Sequence, residues 1–173
     1  MSELLKTLKI DPSKLAGQSR DAKYPKPVEG RVANIDADFL AYQVACETRD
    51  ELDGLKPRRD FETMKTQITS LALHYQKLAG ATSYVLFITP SASTKGDRAN
   101  YAVTKEYQAN RSSRGAPPEH LHAVRGYMGE EHPSSVSLYQ EADDALAQAN
   151  YTAIKAGTPE LAVLMSKDKD LWM

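Results

Sequence analysis

Residues 84–88, Tyr84-Val85-Leu86-Phe87-Ile88, are apolar throughout and rich in β-formers. A strand with no polar position has no solvent face, which is the pattern of a central parallel strand covered on both sides. A long helix is expected before it, from Phe61 to Ala79. Its apolar stripe is Met64, Ile68, Leu71, Leu73, Tyr75 and Leu78, and Gly80 stops it. A second fully apolar run, Leu161-Ala162-Val163-Leu164-Met165, follows a helix expected over Glu141 to Lys155. That helix has a small-residue face of Ala142, Ala145, Leu146 and Ala149, and Gly157 and Pro159 end it. Near the start, Val32-Ala33-Asn34-Ile35 reads as a short buried strand feeding a helix that carries Phe39, Leu40, Gln43, Val44 and Glu47. Residues 50–60 are a polar turn, and Val136 to Leu138 suggests one more short strand. Strand–helix alternation of this kind predicts an α/β three-layer sandwich around a mostly parallel central sheet.

The 173 residues suit one domain, expected over residues 31–173. Residues 1–30 read as an N-terminal arm or short helix: Leu4, Leu5 and Leu8 recur at helical spacing, Pro12 limits the helix, and Pro25-Lys26-Pro27 favours extension. The net charge of -1 does not announce a nucleic-acid partner, so any such surface must concentrate its cations on one face. A single cysteine, Cys46, excludes an intrachain disulfide. It is expected to be a small buried residue in a reducing cytosol. The four histidines have no zinc-type spacing, and no run approaches the ~20 apolar residues of a membrane span.

The chemistry is suggested by position. Ile35 runs into Asp36 and Asp38, Met165 is followed closely by Asp168 and Asp170, and Glu141, Asp143 and Asp144 open a helix. In open parallel sheets, ligands bind beyond the carboxyl ends of strands and near helix starts, so one fold can gather all three groups. Taken singly, each group has an ordinary reading as a helix cap or turn residue. Taken together, crowded carboxylates stay ionised only beside cations. With no soft-ligand set, the expected cofactor is one or two Mg²⁺ or Mn²⁺ ions, which polarise a phosphate oxygen and activate water.

Four segments then carry a resemblance. Asn34-Ile-Asp-Ala-Asp-Phe-Leu, Glu141-Ala-Asp-Asp-Ala-Leu-Ala, Leu164-Met-Ser-Lys-Asp-Lys-Asp-Leu and Glu106-Tyr-Gln-Ala-Asn-Arg are similar, in order and rough spacing, to motifs of the 5′–3′ exonuclease and flap endonuclease family. The bacteriophage members resemble it most, because their first motif also carries a second Asp two residues on. The resemblance covers about residues 31–173 and implies a PIN-like fold. It implies metal-site roles for Asp36, Glu141, Asp143, Asp168 and Asp170, with Asp144 and Asp38 as further candidates. It also implies that Tyr107, Asn110 and Arg111 face the scissile phosphate at the base of a helical arch. Gln108 stands where the family has a lysine, for which Lys105 or Arg111 would compensate. Thr89-Pro90-Ser91 stands where many relatives place an acid after the second strand, with Asp97 as a substitute. The family's C-terminal helix–three-turn–helix region is absent from these residues, so a truncated or split nuclease is expected, with a second chain as one source of the remainder.

Residues 89–135 are polar and too long for an idle loop. They hold Lys95, Arg98, Lys105, Arg111, Arg114 and Arg125, interleaved with Tyr101, Tyr107 and Tyr127. Such cations neutralise phosphates and such rings stack unpaired bases. The expected partner is DNA with a 5′ end or flap, RNA being the alternative, and the expected location is the cytoplasm. The leading expectation is a metal-dependent 5′–3′ exonuclease or flap endonuclease. The alternatives are a catalytically weak nucleic-acid-binding subunit and a PIN-type ribonuclease.

Overall fold

The computed structural model describes residues 24–46, 60–97, 117–168 and 171. The expected segments at 1–23, the arch residues 98–116 with Arg98, Lys105, Tyr107, Asn110, Arg111 and Arg114, and Asp170 and Trp172 lie outside them. The described chain runs β1 (Val28–Asp36), α1 (Ala37–Ala45), α2 (Phe61–Leu78), β2 (Ala81–Ile88), α3 (Leu121–Glu131), β3 (Ser134–Val136), α4 (Ala142–Lys155) and β4 (Ala162–Met165). Short 3-10 turns sit at Lys95–Asp97 and Pro159–Leu161.

The four described strands form one sheet in the order β3-β2-β1-β4, and every pairing is parallel. Side-chain alternation sorts them onto two faces. Ala33, Ile35, Leu86 and Ile88 point into a core shared with α1, α2 and α3, where Leu40, Val44, Met64, Ile68, Val124 and Met128 are buried. Phe87 points the other way, against Ala142, Ala145 and Leu146 of α4, with Val85 and Leu164 beside it. Three layers result, as the alternation of elements predicts. The chain builds outward from β1 to β2 and β3, then returns to place β4 on the other side of β1. Reversal of this kind opens a crevice at the carboxyl ends of β1 and β4.

Several local expectations are corrected. β1 starts four residues before Val32, with a register irregularity between Val28 and Val32. The third strand lies at Ser134–Val136 rather than Val136–Leu138, because the Pro133 carbonyl already accepts from Leu86 N–H at 2.8 Å. On α2, Ala72 is buried while Leu73 and Leu78 are exposed. Part of the polar stretch 89–135 contributes to the core: α3 buries Leu121, Val124 and Met128 against the sheet. Tyr127 packs on that core instead of offering a free ring, and Cys46, expected inside, is exposed at the end of α1.

The turn from α2 into β2 shows how tightly the sheet is entered. Gly80 has φ +57, and a β-carbon there would meet the Lys26 carbonyl oxygen and the Pro25 ring at 3.0 Å. Gly80 O also accepts from Val28 N–H at 2.9 Å, tying the start of β1 to the same turn. Left-handed backbone strain for a residue with a side chain is added to that close contact. Gly80→Ala is expected to destabilise the fold by about 2 kcal/mol, read as a lower midpoint in thermal or urea unfolding.

Candidate functional site

Asp36 ends β1 and is the N-cap of α1. Asp suits a cap because its oxygen accepts from the first free amides of the helix. Oδ1 accepts from Asp38 N–H at 3.0 Å and Phe39 N–H at 3.4 Å. Oδ2 accepts from the Ser166 hydroxyl at 2.8 Å, and Ser166 Oγ accepts from Asp168 N–H at 3.0 Å. The turn after β4 is therefore folded onto the end of β1, its neighbour in the sheet. Asp36 is only 4% exposed, and burial raises its carboxyl above the usual range. The Ser166 hydrogen bond pulls it back in part, and the Asp38 charge raises it further. A carboxylate has roughly four acceptor positions, so three hydrogen bonds fix this one while leaving room for another partner.

Asp143 lies in the first turn of α4 and is half-buried. Burial pushes its carboxyl from an ordinary 3.8 up to about 6. The charges of Asp36, Asp168, Glu141 and Asp38 push in the same direction. Acids from the end of β1, the start of α4 and the turn after β4 thus act on a single carboxyl.

Some of these acids also have local duties. The Glu141 N–H donates to Asp144 Oδ2 at 3.3 Å, part of a capping box at the start of α4. Asp144 accordingly serves the helix end. Asp38 Oδ1 lies 3.0 Å from Arg125 Nη2 and accepts from Thr89 N–H at 3.4 Å. Arg125, expected on a nucleic-acid surface, is therefore turned toward the acids. Thr89, where relatives of the resembled family carry an acid, is buried, and its hydroxyl accepts from Ala142 N–H at 2.8 Å. It joins the end of β2 to the start of α4 without adding charge. Asp97 closes the 3-10 turn Lys95–Asp97, and its side chain lies outside the described part.

Lys95, like Arg125 and Tyr127, is a nucleic-acid candidate that falls among the described residues. Its backbone takes φ 54, unusual for a residue with a side chain. The turn is held by Thr94 N–H to Leu138 O at 2.9 Å and Gly96 N–H to Tyr139 O at 2.8 Å. Ser93 Oγ donates to Gln140 O at 3.0 Å, so the turn runs alongside the segment that leads into Glu141.

The donor set is all oxygen and strongly anionic, which fits a hard divalent cation. Asp36, Asp143 and Asp168 are the candidates to hold one. Among the described residues no group of three or more His, Cys, Asp or Glu side chains stands together as a metal site, and Asp170 lies outside them. A groove of about 690 Å³ lies elsewhere, between α2 and α3, and is lined by Phe61, Lys65, His122 and Tyr127. No described helix is long and apolar enough to cross a membrane. Compared with known proteins, the chain matches no family profile and no curated sequence.

The Asp143 shift fixes a sign. Its folded-state value lies above the ordinary 3.8, so the folded protein binds the extra proton between about pH 4 and pH 6. Stability contributed by that proton is present at low pH and lost as pH rises through about 6. Asp143→Asn is therefore expected to be more stable than wild type at pH 8 without added metal. The gain is about 1 kcal/mol, because solvent screens a half-buried group, and it vanishes below about pH 4. Thermal melts of both proteins across pH 4–8 check this.

Proposed function

We propose that this chain hydrolyses nucleic-acid phosphodiester bonds with one or two Mg²⁺ or Mn²⁺ ions, held by Asp36, Asp143 and Asp168. Glu141 and Asp170 would complete the site. The observation that carries the reading is the Asp143 carboxyl, pushed to about 6 by burial and by four further acids drawn from three separate stretches of chain. When bound, the cation neutralises a phosphate oxygen and lowers the cost of developing charge on the attacked group.

The chain's own residues set the stage. Asp36 is held in one orientation by two amides of α1 and the Ser166 hydroxyl, so it presents its remaining acceptor position without reorganising. Below about pH 6 Asp143 holds a proton that an arriving cation must displace, so cation affinity falls as pH drops through that value. Lys95, on the turn beside the start of α4, offers a cation to incoming phosphates. Lys105 and Arg111 are the further candidates to face the scissile phosphate, with Arg98, Tyr107, Asn110 and Arg114 along the same stretch. Resemblance to 5′–3′ exonucleases and flap endonucleases supports DNA with a 5′ end or flap as substrate.

Cleavage of 5′-flap DNA in Mg²⁺ tests the reading. Asp143→Ala and Asp36→Asn are expected to lose at least about 100-fold in rate while retaining DNA binding. Equal rates in wild type and Asp143→Ala would remove the metal-site assignment. Intact DNA binding with no cleavage by wild type would favour a binding module. Faster cleavage of a matched RNA strand would move the substrate to RNA.

A further inference from the structure

We propose that Arg125 is a positioning residue that serves as the resident counter-ion of the acid cluster, neutralising Asp38 and so limiting how strongly the cluster draws divalent cations. This rests on reading the cluster as a cation site. α3 buries Leu121, Val124 and Met128 on the sheet, and that packing brings Arg125 over the junction of β1 and α1. Its Nη2 lies 3.0 Å from Asp38 Oδ1, with the two side chains only 20% and 26% exposed. The guanidinium also covers the Tyr42 ring on α1, 5.8 Å from its centroid. Thr89 N–H donates to the same Asp38 oxygen at 3.4 Å. Asp38 is thus clamped by a planar cation and an amide. A guanidinium presents its N–H donors in one plane, a geometry that suits a carboxylate partner.

The Asp38 charge sits in the same corner as Asp36 and the start of α4: Asp38 N–H donates to Asp36 Oδ1 at 3.0 Å, and Thr89, which donates to Asp38, accepts from Ala142 N–H at 2.8 Å. Removing Arg125 would leave that charge uncompensated beside them and deepen the negative potential. The sign of the outcome separates this role from simple scaffolding. A scaffold residue, once lost, loosens the site and weakens cation binding. A counter-ion, once lost, strengthens it.

The experiment is a Mn²⁺ titration of the full chain without nucleic acid, with free Mn²⁺ followed by electron paramagnetic resonance. Circular dichroism melts confirm that each variant is folded. Arg125→Met is expected to bind Mn²⁺ about tenfold tighter than wild type, or to take an additional ion. Arg125→Lys, which keeps the charge, is expected to stay near wild type. The double variant Asp38→Asn with Arg125→Met removes both charges and is expected to return toward the wild-type affinity. If Arg125→Met does not fold, Arg125→Gln keeps a donor without the charge and carries the same expected sign. A folded Arg125→Met or Arg125→Gln that binds Mn²⁺ equally or more weakly overturns the counter-ion role while leaving the cation site standing. Wild type that binds no Mn²⁺ overturns the cation-site reading and this inference with it.

Discussion

Like-charge repulsion at one edge of a parallel sheet is the constraint on which the other features depend. All four described strands run the same way, so every chain exit from them lies on one side. Acids placed at those exits cannot avoid one another. At an effective dielectric near that of a protein surface, each close pair costs on the order of 1 kcal/mol or more. Burial raises the proton affinity of the Asp143 carboxyl most, and the charges of its acidic neighbours raise it further. What keeps the edge assembled is local: helix amides and a serine hydroxyl on Asp36, a guanidinium on Asp38, and a capping box across Glu141 and Asp144.

These local contacts mean that capping and chemistry are not competing explanations of the same residues. Asp36 caps α1 through one oxygen while its other oxygen takes the Ser166 hydroxyl. The cap fixes the side chain, and a fixed side chain is what a site requires. Thr89 does similar work without charge, standing at the end of β2 and satisfying an amide at the start of α4. Had an acid stood there, the cluster would hold one more negative charge.

Much of this was legible in the chain, for a physical reason. The apolar runs around Tyr84–Ile88 and Leu161–Met165 and the long stripe of α2 carry enough periodic signal to specify layers. The three acidic groups are readable because strand ends and helix starts are readable. Residues that act through distant partners were not. Ser166 reaches Asp36 across 130 positions and Arg125 reaches Asp38 across 87, and nothing in local spacing encodes such pairings. The stretch 89–135 misleads by averaging. Its polar majority hides the three buried residues of α3, which are few but sit on one helical face. Cys46 misleads in the other sense, because residue type alone favours burial while its place at the end of α1 leaves it in solvent.

The two faces of the sheet are unequally covered. α1, α2 and α3 share a broad core, whereas α4 rests on a narrow seam of Phe87, Ala142, Ala145 and Leu146 while presenting Tyr151 and Ile154 to solvent. Elements with little buried apolar contact open first in native-state fluctuations. Asp143 rides on that helix, so detachment of α4 would carry it out of the cluster while the opposite layers stay intact. Any ion bridging Asp143 to Asp36 would then also act as a staple between the two halves of the sandwich, and slowed amide exchange along α4 would register its arrival.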